Sequence, residues 1–464
     1  MSHPKTSDSI RTMFLVAACC LLLPLVNIDA AAAGDVRDIG SRRELFVDHF
    51  LIGKLDGLRL KLHEPAPTPL VPGTPSGHYA TVIKDGSVFR RFDRGGSAKF
   101  DGDSLETTHY WESRDGVHWS GPDLGLFAVD GSRKNNVIVA NTKWIAHNFS
   151  PFLDRRPGVP KQARFKALAG VHKGGGLFGF SSGDGIHWQK LKETPIITSR
   201  AFAFDSQNVS FWSESEQCYV CYFRTWKTPH GSLRTISRCV SEDFIRWSVP
   251  VAMNPNRPGE HLYTSGTHPY FRAPHIYVAL PTRFMPDRGA STDIMFMTSR
   301  GTNHYDRTFG QAFIRPGLDP SKWGNRSNYA ALNVVPTGPA EMSIYVRERR
   351  YTIRTDGFAS VHATDRRGEL LTRPIRFKGQ QLEINYSTSA AGDIRVEIQD
   401  SAGKPIRGFS LMECPPLVGD HVKRVVKWAR GHDLSSLAGK PVRLRFVMID
   451  SDLFSLRFRD SKTP

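Results

Sequence analysis

The chain has 464 residues and a formal net charge of +17, enough length for two or three domains or for one large repeat fold. Its Lys and Arg are scattered with no run of five. That excludes the basic arm by which a chain grips nucleic acid and leaves a plain basic surface or an anionic polysaccharide partner. Beyond the first thirty or so residues nothing approaches about 18 consecutive apolar residues, which excludes a helical membrane span there.

In chain order, Lys5 and Arg11 precede an apolar run from Met13 to Ile28, and the small residues Ala30 to Ala33 follow. This is the order of a secretory signal peptide. Residues 1–33 are expected to be the leader, with the mature chain starting near Gly34 in the periplasm or outside the cell. A membrane-anchoring helix and a lipid anchor at Val16-Ala-Ala-Cys19 are the alternatives. Residues 34–74 contain two strand-like stretches, Glu44 to Ile52 and Leu58 to Leu62, expected to pack on or close the domain that follows. Cys218, Cys221, Cys239 and Cys414 remain after the leader. Cys218 and Cys221 lie three apart on a strand and face opposite ways, which disfavours a zinc or redox site. An exported setting permits a Cys221–Cys239 disulfide, which the sequence alone does not establish.

An internal repeat organises the middle of the chain. Ser113-Arg-Asp115-Gly116-Val-His-Trp119 is echoed by Ser182-Gly-Asp184-Gly185-Ile-His-Trp188. A weaker copy is Ser241-Glu-Asp243-Phe-Ile-Arg-Trp247, and a degenerate one is Ser299-Arg-Gly301-Thr-Asn-His-Tyr305. A last trace is Arg354-Thr-Asp356-Gly357-Phe358. The period is about 60 residues, and each unit also holds alternating strand patterns such as Tyr219 to Phe223 and Ile276 to Leu280. The repeat reads as a turn in which Ser or Asp binds local backbone groups, Gly takes a positive φ and Trp packs between units. With 40 Gly and 30 Pro spread throughout and no convincing amphipathic helix, the fold class is all-β. A five-bladed β-propeller is expected over 75–365, with blades near 75–125, 140–192, 200–252, 262–312 and 325–365. Short alternating strands over 366–464 are expected to form an antiparallel β-sandwich.

The Ser-x-Asp-Gly-x-x-Trp repeat followed by a sandwich resembles glycoside hydrolase family 32 and its relatives, families 43, 68 and 130. The whole mature chain is similar to bacterial family-32-like hypothetical glycosidases through Arg43 to Ile52, His147 to Phe152, Ala203 to Asn208, Glu260 to Tyr263, Ala312 to Gly317 and Glu341 to Tyr345. The resemblance implies a nucleophilic Asp in an Asn-Asp-Pro motif of the first blade, but this stretch reads Ser76-Gly-His78-Tyr79. It implies an Arg-Asp-Pro motif in the third blade, where Phe204-Asp205-Ser206 stands. It implies a general-acid Glu in the fourth blade, where Glu260 is available.

In a propeller the innermost strands all begin at one face, so residues at those starts converge on a central funnel. Asp205, Glu260 and Glu341 are therefore the expected catalytic carboxylates, with Asp48 a further candidate that pairing with an Arg such as Arg43 would occupy instead. His78, His147, Asn148, Gln207, Asn208 and His268 are expected to bind substrate. Arg272 and Arg315 are candidates for a carboxylate or sulfate on it. The histidine spacing matches no metal motif, and no cofactor is expected. The reading is a secreted glycoside hydrolase using paired carboxylates on an oligo- or polysaccharide. The rivals are a non-catalytic carbohydrate-binding propeller and a cell-envelope interaction protein.

Overall fold

A computed structural model describes residues 36–96, 102–324, 327–429 and 431–461. The expected leader lies outside the described residues. The described chain is built from strands joined by turns and a few short 3-10 segments. Strands of the central sheets are often buried on both faces. Phe165–Val171, for example, is buried at all seven positions. Such strands read as continuous apolar runs rather than strict alternation.

Five antiparallel meanders follow one another. The first runs His78–Asp85, Val88–Gly95, Thr107–Ser113 and Val137–Val139. The second is Ser150–Leu153, Phe165–Val171, Gly176–Ser182 and Gln189–Lys190, and the third is Val209–Ser213, Cys218–Thr228, Gly231–Ser241 and Val251–Ala252. The fourth is split. Thr267–Tyr270, Ala273–Ala279 and Met297–Ser299 form one sheet, and His261–Leu262, Thr282–Met285 and Ser291–Ile294 form another. The fifth has Val335–Pro336, Glu341–Val346 and Arg349–Arg354, and its fourth strand, Ala66–Pro67, comes from the N-terminal side. Pro67 has no N–H to give a further strand, so an edge is the place a sheet can hold it.

Hydrogen bonds link each meander to the next at the leading strands. Arg94 Nη1 donates to Asn148 Oδ1 at 3.0 Å and Asn148 Nδ2 to the Ser206 carbonyl at 3.1 Å. Ser206 Oγ donates to the Tyr263 carbonyl at 2.7 Å. The Val334 N–H donates to His268 Nε2 at 3.0 Å. The Leu332 N–H donates to the Ala80 carbonyl at 2.8 Å, bringing the fifth meander back to the first.

The repeat turns have the expected construction. Ser113, Ser182 and Ser241 each accept, at 2.9 Å, the N–H three residues on. Oδ1 of Asp115, Asp184 and Asp243 each accepts two further N–H groups. The aspartate side chains are a third to a half exposed. Each turn packs on another meander: Trp119 of the first meets Tyr345 of the fifth edge-on at 5.8 Å, Trp188 of the second meets Phe92 of the first at 6.5 Å and Phe244 of the third meets Phe152 of the second at 5.5 Å. The degenerate copies differ. Ser299 Oγ donates to the His304 carbonyl at 2.7 Å, with the Gly301 carbonyl also within 3.1 Å. Asp356 is buried and receives hydrogen bonds from Tyr270, Arg272 and Ser455.

The C-terminal strands form one eight-stranded sheet, held through the long strands Gln381–Gln399 and Arg443–Arg459. Its core includes Ile384, Val396, Leu444 and Phe446, and Phe377 stacks on Phe458 at 3.7 Å. The stretch 34–74 is divided between the two regions. Glu44–Leu45, Ile52–Asp56 and Arg59–Leu62 join this C-terminal sheet, whereas Ala66–Pro67 joins the fifth meander. Ala359–Ala363 also pairs with Arg443–Arg459, so the sheet draws in chain from before residue 366. Cys218, Cys221, Cys239 and Cys414 are free thiols, although Cys221 and Cys239 sit directly opposite each other.

Candidate functional site

The third meander departs from its neighbours at the face where its leading strand begins. Val209 pairs with Tyr222, yet the next two strands run on past this level and pair through Thr228 and Gly231. The overshooting hairpin continues the two-residue period, so Arg224 and Trp226 share a face and Arg234 sits directly opposite Trp226. The chain entering this meander closes the turn below them. Phe204 is buried with φ 71, and its N–H donates to the Arg224 carbonyl at 3.1 Å. A bulky residue at positive φ is a strained arrangement that surrounding contacts must hold. The following residue, Asp205, has a side chain 25% exposed and accepts from Arg224 Nη2 at 2.9 Å.

Behind Asp205 lies a buried chain of polar groups. His147 is fully buried, its Nδ1 is 2.8 Å from Glu106 Oε2, and its Nε2 is 3.9 Å from Asp205 Oδ1. Glu106 also pairs with Arg94 at 3.1 Å and accepts the Asn148 N–H at 3.2 Å. Burial opposes ionisation of Asp205, but the nearby His147 imidazole and the Arg224 guanidinium hold its carboxyl well below the usual carboxylate range. Burial likewise opposes charge on Glu106, and His147 and Arg94 outweigh it. For His147, burial works against the imidazolium, while Asp205 and Glu106 together raise its pKa.

Two groups compete for His147 Nε2. The Asn148 amide nitrogen is 2.9 Å away, nearer than Asp205. The orientation of that amide is fixed, because its oxygen accepts from Arg94 and its nitrogen donates to the Ser206 carbonyl. A donor facing Nε2 requires a bare nitrogen, so the resting ring carries its proton on Nδ1, toward Glu106. A second proton at Nε2 would instead be met by Asp205.

Aromatic rings gather around the two arginines of the overshooting hairpin. Arg224 lies 5.6 Å from the ring centres of both Trp226 and Tyr263, and Arg234 lies 4.5 and 4.6 Å from the same two rings. Tyr329 meets Tyr263 edge-on at 5.5 Å and Tyr79 at 5.6 Å. Arg224, which engages Asp205, thus touches Tyr263 of the fourth meander, behind which Tyr329 and Tyr79 pack, while Trp226 is the partly exposed ring that could meet an apolar sugar face.

The other expected site residues are placed as follows. His147, Asn148, Gln207, Asn208 and His268 are all at least 97% buried, so they hold the scaffold rather than present groups to a ligand. Gln207 Nε2 donates across to the Tyr79 and Ala80 carbonyls, and Asn208 Nδ2 donates to the Phe204 and Ser206 carbonyls. His268 bridges the Gly266 carbonyl and the Val334 N–H. Leading-strand starts leave backbone groups without ladder partners, and these side chains satisfy them. His78 is exposed at the start of the first leading strand.

The remaining carboxylates are engaged elsewhere. Glu260 is buried and held by Arg307 through both oxygens, at 2.6 and 3.0 Å. Glu341 pairs with Arg350 at 2.9 Å. It opens the second strand of the fifth meander. Asp48 pairs with Arg300 at 2.7 Å, not with Arg43. Arg272 pairs with buried Asp356 at 2.8 Å, joining the fourth meander to the C-terminal sheet. Arg315 is exposed and pairs with Glu64 at 3.1 Å. Among the described residues no cluster of His, Cys, Asp and Glu is arranged to hold a metal ion.

Sequence reasoning missed Glu106, Arg94, Arg224, Trp226, Tyr263 and Arg234. The run Tyr222-Phe-Arg224-Thr-Trp226 carries a usable signal, since a cation and an aromatic extend one face of an apolar strand. Glu106 carries none.

A scan of protein families finds no match to this sequence, and no curated protein matches it. Solved structures do resemble it. One is a glycoside hydrolase family 43 arabinoxylan arabinofuranohydrolase from Bacillus subtilis, in complex with cellotetraose. It is 13% identical, with 83% of this chain and 96% of that chain covered and a TM-score of 0.39. A second is a thermostable family-43 glycoside hydrolase, 13% identical over 64% of this chain and 96% of that chain, with a TM-score of 0.42. A third is an N-acetylgalactosamine deacetylase from F. plautii, in complex with blood group B trisaccharide. It is 12% identical over 83% of this chain and 95% of that chain, with a TM-score of 0.42. At these values the likeness assigns neither an activity nor a substrate to this chain.

Proposed function

We propose that the five meanders are the blades of a closed propeller, that the C-terminal sheet is a sandwich folded over its core, and that the protein is an exported glycoside hydrolase acting at the Asp205 face. The ring is supported by the circuit of hydrogen bonds that leaves the first meander at Arg94 and returns to it at Ala80. Export is supported by the leader-like order of residues 1–33. The observation that carries the activity is Asp205 itself. It is a solvent-reaching carboxylate kept ionised by Arg224 and backed by a buried His147–Glu106 pair. An ionised carboxylate beside a sugar ring stabilises an oxocarbenium-like transition state, as nucleophile, as base or by charge alone.

A second reading, a non-catalytic carbohydrate-binding propeller, is favoured by one observation: Glu260, Glu341 and Asp48 are each held by an arginine. Screening the purified protein against plant and marine polysaccharides, with product detection, separates the two. For a hydrolase, Asp205→Asn is expected to lower turnover at least about a hundredfold while sugar affinity and melting temperature change little. Binding without products from any substrate supports the binding module. Turnover that survives Asp205→Asn removes Asp205 from the chemistry.

A further inference from the structure

Several arginines packed into this protein are matched to carboxylates. Arg224 faces Asp205, Arg238 faces Glu216, Arg300 faces Glu44 and Asp48, and Arg307 faces Glu260. Arg234 stands at the Asp205 face and pairs with no carboxylate among the described residues. Its Nη1 lies 3.4 Å from His261 Nδ1, and its Nε is buried without a hydrogen-bond partner. His261 Nδ1 already accepts the backbone N–H of Arg234 at 3.1 Å, so that nitrogen is a neutral acceptor and brings no negative charge. The guanidinium is held over the rings of Trp226, Tyr263 and Phe284 at 4.5, 4.6 and 5.3 Å. Those rings help to fix its plane.

Charge around the site is therefore unbalanced. Asp205 is taken up by Arg224 on one oxygen and faces His147 with the other. Glu106 is matched by Arg94 and by the Nδ1–H of His147. The Arg234 fork is left without an ion pair among the described residues, in the field of an Asp205 that Arg224 already engages. A planar fork of this kind pairs best with a carboxylate or sulfate oxygen pair, and the surrounding rings suit a pyranose or furanose face.

We propose that Arg234 is a specificity residue that selects an anionic sugar, a uronate or a sulfated residue, for the Asp205 site. The proposal rests on the reading of that site as a carbohydrate site and holds for a hydrolase or a binding module alike.

The test uses the full chain and matched oligosaccharides on galacto-, gluco- and xylo-type backbones, each in a uronic-acid form, a sulfated form and a neutral form. Affinities are measured by calorimetry at low and high salt. At least one anionic form should bind about tenfold or more tightly than its neutral counterpart, and the preference should shrink with salt. Whether the uronate or the sulfate is favoured identifies the group. Arg234→Gln should collapse the anionic-to-neutral ratio about tenfold, and Arg234→Lys, which keeps the charge without the fork, should fall between. Arg315→Gln removes the same charge from an exposed site paired with Glu64 and should leave the ratio unchanged. Equal affinity for neutral and anionic forms overturns the proposal alone, as does a preference that survives Arg234→Gln. An equal loss in Arg315→Gln and Arg234→Gln would mean bulk charge and also overturns it. Binding of no oligosaccharide overturns both this proposal and the carbohydrate reading beneath it.

Discussion

At the scale of single residues, Asp205 and His268 show two outcomes for polar side chains at leading-strand starts. Asp205 follows a left-handed residue that turns it outward beside Arg224. His268 is turned inward, donating to the Gly266 carbonyl and accepting from the Val334 N–H. Burial pushes its pKa down to about 4 from 6.5. The unfolded chain therefore takes up this proton near pH 6.5, whereas the folded chain resists it to about pH 4. The stabilising contribution is complete above pH 6.5 and is lost as pH falls from 6.5 toward 4, by about 3 kcal/mol at the limit. His63, also lowered to about 4 mainly by burial, acts in the same sense. His147, whose pKa is raised, acts in the opposite sense: its contribution is present below pH 6.5 and lost as pH rises through the folded value. Urea midpoints measured at pH 7 and pH 5 should show the wild type losing stability on acidification. His268→Gln should be less stable at pH 7 but show a shallower loss, and a slope unchanged by that substitution would remove His268 as a source. The outward or inward fate of these side chains was not legible in the sequence. Inward and outward positions share one residue type, and only the closing backbone, at Phe204 for Asp205, decides between them.

At the scale of the element, the repeat turn was the most legible feature because the hydrogen bonds that shape it are local. Serine, aspartate and the residue at positive φ lie within four positions, so the pattern survives in the sequence. The first copy is also the most tightly fitted. Gly116 has φ 74, and a Cβ there would meet the Tyr345 hydroxyl at 2.8 Å and Thr337 Cγ2 at 2.9 Å. Gly116→Ala should cost about 1–3 kcal/mol through backbone strain and displacement of the ring that seats the turn on the fifth meander. The third copy reverses the balance, because Phe244 accepts φ 66 and is fully buried against Phe152 and Tyr219. Phe244→Gly relieves the strain of about 1 kcal/mol yet loses a buried ring, for a net loss of about 2–4 kcal/mol. Chemical denaturation of the two variants checks both figures. A stabilised Phe244→Gly would show that the strain outweighs the packing. The overshooting hairpin was less legible, because strand length past an apolar core leaves only the Arg224–Trp226 alternation as its mark.

At the scale of the whole molecule, the expected border at residue 366 divides a hydrogen-bonded sheet. A composition change marks where alternating strands become dense, but it does not show which earlier strands they pair with. Gly368–Thr372 lies between Ile52–Asp56 and Arg443–Arg459, and the latter also pairs with Glu44–Leu45 and Ala359–Ala363. Phe46, Leu51, Ile52 and Val361 belong to the same core as Ile384 and Phe446. Ion pairs tie this sheet to the fourth meander through Arg272, Asp356 and Arg43, and through Arg300 with Glu44 and Asp48. A fragment spanning 366–461 would therefore expose an open sheet edge and the apolar surface that four earlier segments cover. It should fail to fold alone, remaining aggregated or without near-ultraviolet dichroism. The intact chain should unfold in one calorimetric transition, because the C-terminal sheet draws on chain from both ends of the meander region and is ion-paired to the fourth meander. Asp356→Asn should lower that transition without splitting it, since it leaves Arg43 and Arg272 buried with less compensating charge, at a cost of about 3–5 kcal/mol. Two resolved transitions in the intact chain, or a soluble 366–461 fragment with native dichroism, would show that the C-terminal region folds independently.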